Sequence, residues 1–213
     1  MSAEPGLRER KKERTRQTIA ETARRLFAER GFEAVTVAEV ARAADVSEGT
    51  VFNYFPSKED LFYSQMESFE AALVDAVRDR PRGESVVAAF RRFVIERSGR
   101  LAAEEVADVI AGAARVVTAS PALQAREREI VADATRALAA VLAGETGARA
   151  GDVEPLVVAG ALMGAHRALV DHVRASVAGG SRGRKLAADA RSQARRAFGR
   201  LERGLADYDV KTR

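Results

Sequence analysis

Cysteine is absent from the 213 residues, which excludes disulfides and thiolate chemistry. No uninterrupted apolar run approaches the ~20 residues that a membrane span requires, so no membrane partner is expected. Hydrophobic residues still make up 46% of the chain, too many for a disordered one. Glycine-rich phosphate loops, a serine nucleophile elbow and a histidine cluster are all missing, so an enzyme is not expected and no catalytic residue is named. His166 and His172 are the only histidines. Six positions apart, they stand roughly 120° from each other around a helix and cannot form an i, i+4 metal pair. Neither a metal nor another cofactor is expected. Alternating apolar and polar stretches bounded by hairpin dipeptides are also lacking, which leaves a β-sheet without material. The start of the chain is charged from Arg8 onward with no apolar segment behind it, so no signal peptide is expected and the location is expected to be cytoplasmic.

What is present is helix after helix. A first helix over about Glu9–Arg30 places Ile19, Ala23, Leu26 and Phe27 on one face and ends at Gly31, a residue type suited to a left-handed cap. Thr36-Val37-Ala38-Glu39 has the form of a capping box and opens a short helix with Val37, Val40, Ala41 and Ala44 as its apolar stripe. After a turn at Asp45-Val46, Ser47 caps a third short helix, which must stop near Phe55 because Pro56 disfavours helical geometry in the residue before it. Two short helices across a tight turn form a helix-turn-helix arrangement. Ser57 caps a fourth helix carrying Leu61, Phe62, Met66, Phe69, Leu73 and Val77 towards the break at Pro81-Arg82-Gly83.

Beyond that break, apolar stripes mark five more helices. Val86 to Val94 forms one and Val106 to Val117 the next; Ser120-Pro121 caps a third, which carries Leu123, Ile130, Leu138 and Leu142. A long helix follows from about Val153 to Val177, and Gly179-Gly180-Ser181 separates it from a last one running from Leu186 to Leu205. The fold class is therefore all-α, with an N-terminal three-helix module over residues 1–60 and a C-terminal helical bundle over 61–213.

The third helix divides its residues by chemistry. Val51 and Phe55 face inward, whereas Thr50, Asn53 and Tyr54 share a polar face at i, i+3 and i+4. Short hydroxyl and amide groups near a helix N-terminus suit base edges in the major groove. Between Arg8 and Arg16 six basic residues stand against two acidic ones, a local excess of +4 that suits phosphate. The same features also fit an all-helical interaction or ligand-binding protein without sequence-specific DNA binding, since polar helix faces and charge runs are usually solvated.

The order of residues from Ala23 to Leu61 weighs against that second reading. Arg24-Arg25-Leu26-Phe27-Ala28-Glu29-Arg30-Gly31-Phe32, then Thr36-Val37-Ala38-Glu39-Val40-Ala41, then Val46 to Leu61 through Asn53-Tyr54-Phe55-Pro56-Ser57-Lys58 closely resembles the DNA-binding domain of the tetracycline-repressor (TetR) family. The resemblance implies that Thr36, Tyr54 and Lys58 hold phosphates. It also implies that Ser47, Glu48, Gly49, Thr50 and Asn53 lie against base edges, with Phe52 touching a thymine methyl. Glu48 would accept from a cytosine amino group.

The family likeness further implies a repressor released from a palindromic operator by a small-molecule effector. Around Arg80 to Ser85 and Phe90 there is a looser similarity to members with an acyl-CoA-like effector domain. For an effector cavity the candidate walls are Phe69, Phe90, Phe93, Val94, Val109, Ala113, Val116, Val117, Met163 and His166, most of which serve equally well as plain core. Small residues at Ala159, Gly160, Ala161, Gly164, Ala165 and Ala168, with Ala190, Ala194 and Ala197 on the last helix, permit close helix approach. The family places a homodimer contact there, and an intramolecular bundle would show the same pattern.

Overall fold

A computed structural model describes residues 6–204. Among them are nine α-helices and one 3-10 turn, with no β-strand element. In chain order the helices are α1 (Leu7–Arg30), α2 (Val37–Ala43), α3 (Glu48–Tyr54), α4 (Lys58–Arg78), α5 (Val86–Arg97), α6 (Glu104–Ala119), α7 (Pro121–Thr146), α8 (Glu154–Ala178) and α9 (Gly183–Gly204), with the 3-10 turn at Ser98–Ala102. Each helix expected from the sequence is present. Leu205, expected to continue the last one, lies outside the described residues.

The chain divides into two compact units. One comprises the chain up to Glu67 together with Arg115–Glu127; the other comprises Ser68–Ala114 and the chain from Arg128. α4, α6 and α7 each have one part in each unit. The first unit thus takes in residues of the expected C-terminal domain, because 115–127 pack with the N-terminal helices. The Tyr63 hydroxyl donates to the Leu123 carbonyl at 3.0 Å and the Ser120 hydroxyl to Glu33 Oε1 at 2.7 Å. Arg126 reaches both Asp60 and Glu67 at 2.7 Å. An aromatic cluster of Phe27, Phe32, Phe62 and Tyr63, with ring centroids 4.9 to 6.0 Å apart, fills the unit's interior beside Ile19, Val40, Val51 and Phe55.

In the second unit the inner faces of α4, α5, α7, α8 and α9 enclose one core, with Leu73, Phe90, Leu138, Leu162 and Phe198 fully buried. A smaller cluster of Ala107, Val177 and Leu186 lies beneath Leu101 and Ile110. α8 has the length and mean hydropathy, 1.2, of a membrane span. Its stripe of Val158, Leu162, Met163 and Leu169 is buried in the protein core, and it carries Arg167, Asp171 and Arg174 within its length, as a core helix does.

Candidate nucleic-acid interface

The turn that aims α3 is built by local bonding. Thr36 caps α2: its hydroxyl accepts from the Glu39 amide at 3.2 Å, and Glu39 Oε2 accepts from the Thr36 amide at 2.8 Å. Arg30 adds an ion pair to Glu39 Oε1 at 2.8 Å. At the far end of α2, the Val46 amide bonds to the Ala41 carbonyl and the Asp45 amide to that of Arg42, with Asp45 at φ 56°. This is a Schellman ending with aspartate in the left-handed position, which its short polar side chain tolerates. Ser47 then accepts from the Thr50 amide at 3.1 Å and starts α3.

α3 buries Val51, which with Phe55 just beyond its end is about 2% exposed or less, and leaves Ser47, Glu48, Gly49, Phe52 and Asn53 exposed. Phe52, at 48% exposure, is a large apolar side chain standing in solvent on the outer face of α3, where it suits contact with a thymine methyl. Thr50 and Tyr54 are half-buried at the edges of that face. The Ser47 and Thr50 hydroxyls bond each other at 2.8 Å, so part of their capacity is already used within the helix turn. Thr36 is exposed, although its hydroxyl also donates to Glu39 at 3.0 Å. The Lys58 ammonium lies 4.2 Å from the centre of the Phe32 ring, held over the aromatic cluster. Arg16 covers Phe55 in the same manner at 5.1 Å, whereas Arg8, Arg10, Lys11, Lys12 and Arg14 project from α1 into solvent. Among the described residues no group of three or more histidines or acids is placed to hold a metal ion.

The candidate effector residues separate into three sets. Phe69, Phe90, Phe93, Val94, Met163 and His166 come together in the core of the second unit, with Phe69 partly buried and the others buried. Val116 and Val117 belong instead to the first unit. Val109, 45% exposed, and Ala113, also exposed, face away from the interior: α6 turns their side of the helix outward and uses Ala107 and Ile110 for packing. These two are not walls of an interior site. Arg80 is likewise not a free contact, since its buried guanidinium bonds the carbonyls of Val77 and Glu84 and pairs with Glu145 at 2.7 Å.

Residues 19–64 match the family model of bacterial regulatory proteins of the tetR family, and residues 84–205, more than half the chain, match the MftR C-terminal domain. The chain belongs to the TetR family. Among curated TetR-type relatives, the regulator TcmR of Streptomyces glaucescens is 37% identical over 86 residues, covering 40% of this chain and 38% of TcmR. The repressor AcnR of Corynebacterium glutamicum is 38% identical over 65 residues, covering 30% of this chain and 35% of AcnR. The matched stretch thus spans little more than a third of these relatives' length. A solved TetR-family regulator from Mesorhizobium loti shares the fold, with a TM-score of 0.55 at 16% identity over 91% of this chain and 97% of that one.

Ser64, Glu70 and Glu127 are buried polar residues of this TetR-family chain that the sequence pattern did not single out. Glu70 lies within the apolar arc of α4, four residues after Met66 and three before Leu73, and is 4% exposed beside His166. Its spacing was the available signal: a carboxylate at i+4 and i−3 to apolar stripe residues points inward. The small-residue stripe of α8 also resolves into two faces. Ala159 is buried inside the unit, whereas Gly160, Gly164 and Ala168 lie on an exposed face with Val153, Leu156 and Val157, which are 68%, 51% and 62% exposed. Ala190 and Ala194 of α9 are buried and contribute to intramolecular packing.

Proposed function

We propose that the protein is a homodimeric transcription repressor that holds a palindromic operator until a small-molecule effector releases it, acting in the cytoplasm without catalysis and without a metal or other cofactor. The observation that carries the reading is α3 itself: a capped helix whose inner side is anchored by Val51 and Phe55 and whose outer side offers Ser47, Glu48, Gly49, Thr50, Phe52 and Asn53. These would read base edges, while Thr36, Tyr54, Lys58 and the exposed bases of α1 would hold phosphates. For Lys58 this requires the ammonium to leave the Phe32 ring for a phosphate oxygen, a stronger charge-assisted partner.

The apolar outer face of α8 would meet its copy about a twofold axis. Two recognition helices would then stand about 34–36 Å apart, matched to half-sites one helical turn apart or a multiple of it. Because α4 is continuous from the reading unit into the effector unit, ligand binding in the second would be felt in the first. A coupling of about 1–3 kcal/mol suffices for release, provided the ligand favours the state that does not fit DNA.

Selection from random duplexes, followed by mobility-shift titration at several salt concentrations, tests the proposal. An inverted repeat should be enriched and its affinity should fall steeply with salt. Glu48→Gln should change the preferred base more than the overall affinity. Retention of scrambled duplex as strong as that of any enriched sequence would favour an all-helical interaction protein instead.

A further inference from the structure

Glu70 and His166 form a buried ionisable pair in the second unit, 4% and 8% exposed, with Glu70 Oε1 3.5 Å from His166 Nε2. Each retains one buried atom with no hydrogen-bond partner, Glu70 Oε2 and His166 Nδ1. Orphaned polar atoms of this kind are uncommon and costly in an interior, more so when one belongs to a carboxylate. The surroundings do not relieve them. The Phe69 ring stacks on the imidazole at 5.3 Å and an interplanar angle of 15°, Phe90 approaches it edge-on at 6.3 Å, and Phe93 packs across Phe69 at 5.3 Å.

The chemistry of the two orphans specifies what satisfies them. A carboxylate oxygen only accepts. When the neutral imidazole turns its Nε2–H towards the carboxylate 3.5 Å away, Nδ1 accepts as well. Two acceptors among phenyl rings call for a group rich in donors and positively charged, on an apolar body; ring faces favour cations over anions. We infer that the Glu70–His166 pair is the recognition point for an effector bearing an ammonium group on an aromatic or aliphatic skeleton, the ammonium donating to Glu70 Oε2 and the skeleton replacing contacts among Phe69, Phe90 and Phe93. Phe69 is the partly buried member of this group and marks the side from which the ligand arrives.

This assignment rests on the proposed function for its regulatory meaning but not for its binding, which is measurable alone. The full-length protein is titrated calorimetrically with 4-phenylbutylamine, with 4-phenylbutyrate as the anionic match of similar size, and with palmitoyl-CoA. The amine is expected to bind at least tenfold more tightly than the carboxylate, and Glu70→Gln is expected to remove that preference while circular dichroism stays helical. If Glu70→Gln fails to fold, His166→Gln supplies the second variant, with at least a threefold weaker amine affinity expected. Equal binding of amine and carboxylate, a preference that survives Glu70→Gln, an unchanged amine affinity in His166→Gln, or binding of palmitoyl-CoA alone overturns the inference. Operator retention is measured in parallel without ligand: DNA binding with no amine preference sinks this inference and leaves the regulator reading standing, and amine binding without DNA binding does the reverse.

Discussion

Glu39 illustrates how one side chain fixes the entry to the reading motif. Its carboxyl is held well below the ordinary value of 4.5, at about 2, first by the Thr36 backbone N–H, then by Arg30 and the Thr36 hydroxyl. A folded-state value below the unfolded one means that the carboxylate contributes stability above about pH 4.5 and loses it as the pH falls towards 2. The stability gap between wild type and Glu39→Gln should therefore be open at pH 7 and narrow as pH falls from 4.5 to 2; thermal melts whose gap is constant across that range would contradict the assignment. Asp45 tests the same motif at its other end. With φ at 56°, Asp45→Val should lower stability by roughly 1–2 kcal/mol in denaturant titrations, while Asp45→Gly should leave it equal or higher. The caps at Thr36, Ser47, Ser57 and Ser120 were legible because a cap is a contract between residues three apart. The bond from Ser120 to Glu33 was not, because its partners are 87 positions apart and no local spacing marks them.

Helices that repeat apolar residues at threes and fours declare themselves, and all nine did; which face meets which neighbour is a different matter. α8 shows the difference, because small residues cover so much of its circumference that both an inward and an outward face look alike in sequence, and only packing assigns Ala159 to the core and Gly160 to the surface. The link between α4 and α5 is another case. Arg80 looks like a surface arginine before a proline break, yet its guanidinium is buried and joins the end of α4, the Glu84 carbonyl and Glu145 of α7. Removing it takes the guanidinium away from Glu145 and from the carbonyls of Val77 and Glu84. Arg80→Ala is expected to cost about 3 kcal/mol, measured by urea unfolding, with a smaller loss for Arg80→Lys; a loss under about 1 kcal/mol would show the clasp to be dispensable.

For the whole molecule, the exposed face of Val153, Leu156, Val157, Gly160 and Gly164 is the feature the single chain leaves unpartnered. Leu156→Glu with Val157→Glu should convert a dimer to a monomer in light scattering, keep the helical spectrum, and weaken operator binding by at least tenfold; a dimer that survives both changes places the interface elsewhere. By itself the sequence determined the all-helical class, the helix-turn-helix and the residues on the outer side of α3, since periodicity, caps and motif order are short-range properties carried by neighbours in the chain. Tertiary structure alone decided that 115–127 pack with the reading unit, that Val109 and Ala113 face outward, and that Glu70 meets His166 across 96 positions of chain. Those outcomes depend on how whole helices rotate and dock to bury apolar area, a sum over many distant contacts that no local pattern encodes.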